Sequence, residues 1–226
     1  MSKKEIMNVE EAFLEIDNQT MGIVIERSKE FVRLMTYYRC AMMEVETKLN
    51  VLNQEFSLRH DRNPISSIKS RLKTMPSIIE KMERRQIPMD LDAIETNLTD
   101  IAGIRVICAF EQDVYTLAKA LLSQDDITLI EQKDYIANPK PNGYRSLHLI
   151  VSVPIFLQNE KRVMKVEIQL RTIAMDCWAS LDHQLRYKKD YIFTNEMAEE
   201  LLSCAIMSAQ LDRRMDELRE KVEYDD

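Results

Sequence analysis

Apolar residues recur along the first part of the chain in alternating steps of four and three. Phe31, Met35, Tyr38, Met42, Val45, Leu49, Leu52 and Phe56 form one stripe. That is the period of a helix packed along a long seam. The C-terminal stretch repeats the spacing at Met197, Leu201, Cys204, Ser208, Leu211, Met215, Leu218 and Val222, and only Ser208 breaks the apolar set. Each helix has two ways to cover its stripe: the body of its own chain or another subunit. The period leaves both open.

Between these helices strands and helices alternate. Residues 67–73 read as extended. Pro76 suits the first turn of a helix running through Arg85, because proline lacks the N–H that a first turn leaves unpaired. Residues 101–110 read as a strand, 113–123 as a helix and 127–136 as another strand. Residues 146–156 and 162–171 are strands joined by a short Gln-Asn-Glu-Lys turn, a hairpin. Thr172 then caps a helix reaching about Lys188. Within the last strand, alternation puts Lys165, Glu167, Gln169 and Arg171 on one face and Val166, Ile168 and Leu170 on the other. In the preceding strand Ser146 and His148 oppose Leu147 and Leu149. A polar strand face is either solvated or lines a cleft. The organisation is a single α+β domain: a helical segment 1–62, a core 63–190 and a C-terminal helix 191–226.

Composition removes several chemistries. The chain has 226 residues and only three glycines, Gly22, Gly103 and Gly143. Ordinary usage of ~7% would give roughly sixteen. Glycine loops that cradle phosphates need clustered glycines, so any phosphate here is held by side chains. His60, His148 and His183 are far apart, and Cys40, Cys108, Cys177 and Cys204 contain no CxxC pair. Local zinc and dithiol motifs are therefore missing. Four scattered cysteines read as reduced, mostly buried thiols. No signal-peptide core or membrane-length apolar run is present, so a soluble cytoplasmic protein is expected.

The formal net charge is −7, which disfavours long nucleic acids as the main partner. Eight Lys and Arg nevertheless fall within residues 59–85 against three acids, while residues 190–226 are strongly acidic. A cationic cluster in an acidic protein fits a small polyanion, or simply a solvated helix face. Three local patterns mislead. His60-Asp61 lacks the further ligands of a metal phosphohydrolase. Asp90-Leu91-Asp92 is better read as a helix start capped by Asp92 than as a two-metal site. Cys177-Trp178 reads as core.

Three segments are more specific: Asp100-Ile-Ala-Gly-Ile-Arg105, then Lys133 through the run Pro-Lys140-Pro-Asn142-Gly143-Tyr144-Arg145-Ser-Leu-His148, then Glu167-Ile-Gln169-Leu-Arg171-Thr. Together, and in this order, they resemble the synthetase domain of the RelA/SpoT family. The absence of large extra domains resembles its small alarmone synthetases, the RelP/RelQ group. The resemblance spans about residues 63–188. It implies a nucleotidyltransferase-like mixed sheet with flanking helices. It also implies transfer of pyrophosphate from ATP to the 3′-hydroxyl of GTP or GDP, in the stringent response.

By the same resemblance Asp100 is the magnesium ligand, and Glu167 is the second acid, placed as a base for the 3′-hydroxyl and near the metal. Arg71 and Arg105 sandwich the adenine, and Lys73 and Arg84 hold the ATP phosphates, with Arg85 the alternative to Arg84. Tyr144 stacks on guanine through its ring face. Lys133, Lys140, Asn142, His148 and Gln169 lie on the side of the acceptor nucleotide. Alarmone hydrolysis and ribosome-linked control are not expected. A homo-oligomer, most simply a tetramer joined through terminal helices, is expected. Another nucleotidyltransferase that releases pyrophosphate, and a catalytically silent nucleotide- or RNA-binding regulator on the same fold, are the competing readings. Intact Asp100 and Glu167 oppose silence.

Overall fold

A computed structural model describes residues 18–60, 62–186 and 193–223. Among these residues two helices come first, α1 (Asn18–Glu26) and α2 (Lys29–His60), followed by β1 (Ile65–Leu72), α3 (Met75–Arg84) and α4 (Leu91–Asn97). Next are β2 (Ala102–Cys108), α5 (Glu111–Leu122), β3 (Thr128–Asp134), β4 (Leu147–Phe156) and β5 (Lys161–Thr172). Two helices close the chain, α6 (Ile173–Arg186) and α7 (Asn195–Glu223). The strands form one mixed sheet in the order β1-β2-β5-β4-β3. Strands β2 and β5 run parallel and the other neighbours antiparallel. This is the α+β architecture expected from the alternation of periods.

The sheet has one apolar and one polar face, and α2 covers the apolar one. It lies across β1, β2, β4 and β5, and α5 packs beside it on β2 and β5. Tyr38, Val45 and Leu49 of the α2 stripe are completely enclosed, together with Val166, Ile168 and Leu170 of β5. The first stripe is thus covered by the chain's own sheet. The second stripe is not. Leu211, Met215, Leu218 and Val222 of α7 are exposed.

Several local expectations hold. Pro76 sits in the first turn of α3, and the Met175 amide donates to Thr172 Oγ1 at 3.1 Å, capping α6. The hairpin between β4 and β5 closes with Leu157 N donating to Glu160 O at 2.8 Å. Two expectations need correction. The cap of α4 is Asp90, whose side chain accepts from Ala93 N at 2.7 Å, because Asp90 keeps extended backbone angles while Asp92 is already in the first turn. Of the four cysteines only Cys108 is buried; Cys40 and Cys204 are half-buried, and Cys177 is exposed. Trp178 is buried as expected, but one residue earlier α6 turns Cys177 toward the groove between α6 and α7. For the His60-Asp61 pair, Asp61 lies outside the described residues, as do residues 187–192 at the expected end of α6.

The two stripes should respond differently to truncation. Leu49→Ala removes a fully enclosed side chain and should cost ~2–5 kcal/mol. Leu211→Ala, at an exposed position of the folded chain, should stay within about 0.5 kcal/mol when measured on the monomer. Urea unfolding of both variants checks this; equal losses would contradict the burial of the α2 stripe.

Candidate active site

The strand register lays two rows of side chains across the polar face of the sheet. Following β1-β2-β5-β4-β3, one row reads Lys69, Arg105, Gln169, His148, Lys133. The adjacent row reads Arg71, Gly103, Glu167, Ile150, Glu131. Gly103 stands between Arg71 and Glu167, and a glycine within a strand leaves room for a ligand to approach the backbone. Glu167 is therefore central. The basic residues of β1 and β2 lie to one side, and those of β4 and β3 to the other.

Two clefts open on this face, and both are lined by Asp100 and Glu167. The first adds Arg71, Arg105 and Gln169. The second adds Lys81, Arg85, Lys133 and His148. Asp100 enters from the turn before β2, a turn fixed by Lys73 N donating to Ile101 O at 2.8 Å. Its Oδ2 accepts from Lys73 Nζ and from Lys81 Nζ, each at 2.7 Å. Its Oδ1 is enclosed and has no hydrogen-bond partner. Burial works to raise the Asp100 carboxyl, but the two lysines outweigh it and hold it below the ordinary aspartate range. Burial likewise pulls the Lys81 ammonium down, opposed by its bond to Asp100.

Glu167 is held by donors rather than by lysines. Gln169 Nε2 donates to its Oε2 at 3.0 Å, and His148 Nδ1 lies 3.4 Å from its Oε1. Burial works to raise the Glu167 carboxyl; His148 foremost, then Gln169, brings it below the ordinary glutamate range. It is thus ionised near neutral pH and able to receive a proton.

The acceptor-side residues form a connected chain. Arg171 Nη2 donates to the Tyr144 hydroxyl at 2.6 Å and to Gln169 Oε1 at 3.0 Å. The hydroxyl lies 2.8 Å from His148 Nε2. The hydroxyl thus links Arg171 to His148, whose other ring nitrogen faces Glu167. Tyr135 meets Tyr144 edge-on at 6.0 Å and His148 at 5.3 Å. The Lys140 ammonium lies 4.6 Å from the Tyr135 ring centre and 5.0 Å from that of Tyr144. Asn142 uses its side-chain oxygen on its own loop, accepting from Tyr144 N at 3.2 Å.

Most residues singled out in the sequence converge here. Arg84 does not: it lies outside both clefts, while Arg85 and Lys81 line the second. Lys81 and Arg85 are four apart, so they share one side of α3. That spacing was the available signal for both. Arg171, Asp176 and Tyr135 were also missed. Asp176 bridges Arg171 and Arg105, with Oδ1 3.3 Å and 3.4 Å from their guanidinium nitrogens. No local pattern announces a contact between the start of a helix and two strands. The expected ring-only role of Tyr144 is incomplete, because its hydroxyl joins Arg171 to His148.

A larger cleft lies elsewhere. It is an apolar groove of about 740 Å³ between α6 and α7, lined by Trp178, Leu181, Met207 and Leu211 among others. Among the described residues Asp212 is the only charged one lining it, and none there is a cation.

Residues 70–191 match the region found in RelA / SpoT proteins. The chain belongs to the RelA/SpoT family. It is 40% identical over 186 residues to GTP pyrophosphokinase YwaC of Bacillus subtilis, covering 82% of this chain and 89% of that protein. The fold is similar to that of small alarmone synthetase 1 from Bacillus subtilis bound to its product pppGpp. Here the TM-score is 0.78 and the identity 35%, over 86% of this chain and 99% of the other. The same synthetase bound to AMPCPP gives a TM-score of 0.73 at 32% identity, over 87% and 99% of the two chains.

The paired lysines make a pH prediction. A carboxylate held below its unfolded value contributes stability that is present above that value and lost as pH falls through the folded one. Asp100→Asn removes the charge that Lys73 and Lys81 share. It should destabilise the protein by about 1–3 kcal/mol at neutral pH. The gap to wild type should stay open at pH 5 and narrow only below about 3.9, the ordinary aspartate value. Urea unfolding across this range checks it. A gap already closed at pH 5 would mean that Asp100 is not held low.

Proposed function

We propose that this protein is a (p)ppGpp synthetase, a GTP pyrophosphokinase that transfers the pyrophosphoryl group of ATP to the 3′-hydroxyl of GTP or GDP. The observation that carries the proposal is the pair of clefts sharing Asp100 and Glu167 as a common wall. A donor nucleotide in the first cleft, its phosphates reaching Lys81 and Arg85 of the second, and an acceptor entering from the side of Lys133 and His148 meet at the two acids. The names of the relatives, and pppGpp and AMPCPP in the similar structures, support the same pairing.

On the donor side, Arg71 and Arg105 offer planar guanidinium groups for the adenine. Lys73 and Lys81 receive phosphate oxygens, with Arg85 better placed than Arg84 to assist. On the acceptor side, Tyr144 stacks on guanine at the ring face now covered by the exposed Lys140. Lys133 and His148 line the path of the acceptor. Glu167 takes the proton of the 3′-hydroxyl. The 3′-oxygen bonds to the β-phosphorus of ATP while the bond from that phosphorus to the α,β-bridging oxygen breaks, so AMP leaves with that oxygen.

The residues present fit magnesium. Asp100 Oδ1 is a hard oxygen with no other partner, and Glu167 is close enough to feel its charge. Among the described residues no cluster of three or more His, Cys, Asp or Glu forms, so a cage made wholly of protein is not the design. One or two carboxylates plus substrate phosphates is the usual magnesium arrangement. When bound, the ion neutralises charge on the transferred group.

The exposed apolar stripe and groove on α7 support a homo-oligomer, most simply a tetramer, because closed symmetry lets identical faces cover each other. Among the described residues no helix is long and apolar enough to cross a membrane. The nucleotide substrates support a cytoplasmic reaction.

The test is incubation with labelled ATP, magnesium and GTP or GDP, followed by product separation. AMP and a guanosine 3′-diphosphate should appear together; no AMP would end the proposal. Glu167→Gln should lower turnover by ~10²–10⁴-fold while ATP still binds. Tyr144→Ala should raise the KM for the guanine nucleotide roughly ten- to a hundredfold, since stacking is worth ~1–3 kcal/mol and ~1.4 kcal/mol is tenfold. Tyr144→Phe should also raise it, by about three- to tenfold, because it removes the hydroxyl that links Arg171 to His148 and leaves Arg171 Nη2 only Gln169 as acceptor. An unchanged KM for Tyr144→Phe would show that the hydroxyl bridge does not matter.

A further inference from the structure

The C-terminal helix α7 lies outside the sheet and carries none of the residues assigned to the reaction. Its buried side nevertheless grips both segments that carry the acceptor-side residues. The first segment is the loop ending in Tyr144 and Arg145. Gly143 has φ +89°, and a β-carbon there would lie 2.4 Å from the Ala205 β-carbon of α7. The loop therefore rests directly on this helix, with a glycine at the contact. Arg145, the next residue after Tyr144, is buried. Its Nη1 donates to Asp212 of α7 at 2.9 Å, and its Nη2 donates to Glu111. The second segment is the end of β5. Thr172, next to the Arg171 that holds the Tyr144 hydroxyl, lies close enough to the same Asp212 for its side chain to favour the carboxylate charge. Asp212 itself is buried. A buried carboxylate that binds a buried guanidinium holds the loop carrying it against α7.

We propose that Asp212 is a positioning residue for the guanine-nucleotide side of the site. It acts through Arg145 on the Tyr144 loop. The donor-side residues belong to β1, α3, β2 and the turns beside them, away from this clasp. Loss of the clasp should therefore be felt by one substrate only. The inference rests on the reading of the site as a (p)ppGpp synthetase.

Asp212→Asn keeps the side-chain shape and removes the charge. In steady-state assays of the full chain with magnesium, ATP and GDP, the KM for GDP should rise about tenfold. The KM for ATP, and kcat at saturating GDP, should stay within about twofold. Asp212→Glu, which keeps the charge, should recover most of the loss. A GDP KM within twofold of wild type would overturn the inference. So would an equal rise in both KM values, which marks a general structural role. If Asp212→Asn does not fold, Ala205→Val thickens α7 beneath Gly143 and is read by the same criteria. A wild-type protein that forms no AMP would instead overturn the proposed function, whereas wild-type turnover with an unchanged GDP KM in the variant overturns this inference alone.

Discussion

A carboxylate half removed from water drifts toward its neutral form unless donors or cations reach it. Two such groups, Asp100 and Glu167, sit close together at the centre of the polar sheet face, and each makes the other harder to ionise. The surroundings answer in two ways. Asp100 receives two ammonium groups, Lys73 from the end of β1 and Lys81 from α3. Glu167 receives side chains held on strands, Gln169 from its own strand and His148 from β4. Lysines can be drawn toward phosphates when a substrate arrives. Donors on rigid strands stay where they are. The acid tied to mobile cations suits a metal and polyphosphate, and the acid fixed within the sheet suits proton transfer.

The mixed sheet makes this division possible. Strand β5 is central, with a parallel neighbour on one side and an antiparallel neighbour on the other. The register sets Glu167 between a donor half and an acceptor half on the same face. The opposite face of β5 is sealed by α2, so the position of Glu167 is fixed by packing as well as by hydrogen bonds. Asp176 ties the halves together through Arg105 and Arg171.

Much of this was legible in the chain. The alternation around Glu167 identified a strand with one polar face, and the scarcity of glycine transferred phosphate binding to side chains. The direction of the α2 stripe was not legible, because a heptad period is the same whether its partner is a sheet or another helix. Lys81 was hidden among eight basic residues, and only its contact with Asp100 separates it from the solvated ones. Arg171 and Asp212 were hidden for another reason. Arg145 and Asp212 are 67 positions apart, and no local period reports on a contact of that range. Cys177 and Asp92 were misplaced by one or two residues, the distance over which a helix face or a cap changes.

The central claim is that an intact pyrophosphoryl group moves between two nucleotides that meet at Asp100 and Glu167. Phosphorus-31 NMR of a reaction with ATP, magnesium and GDP tests it directly. The account predicts AMP and a guanosine carrying a new diphosphate on its 3′-oxygen in equal amounts, with no free pyrophosphate. Release of inorganic pyrophosphate with an adenylated product would contradict it.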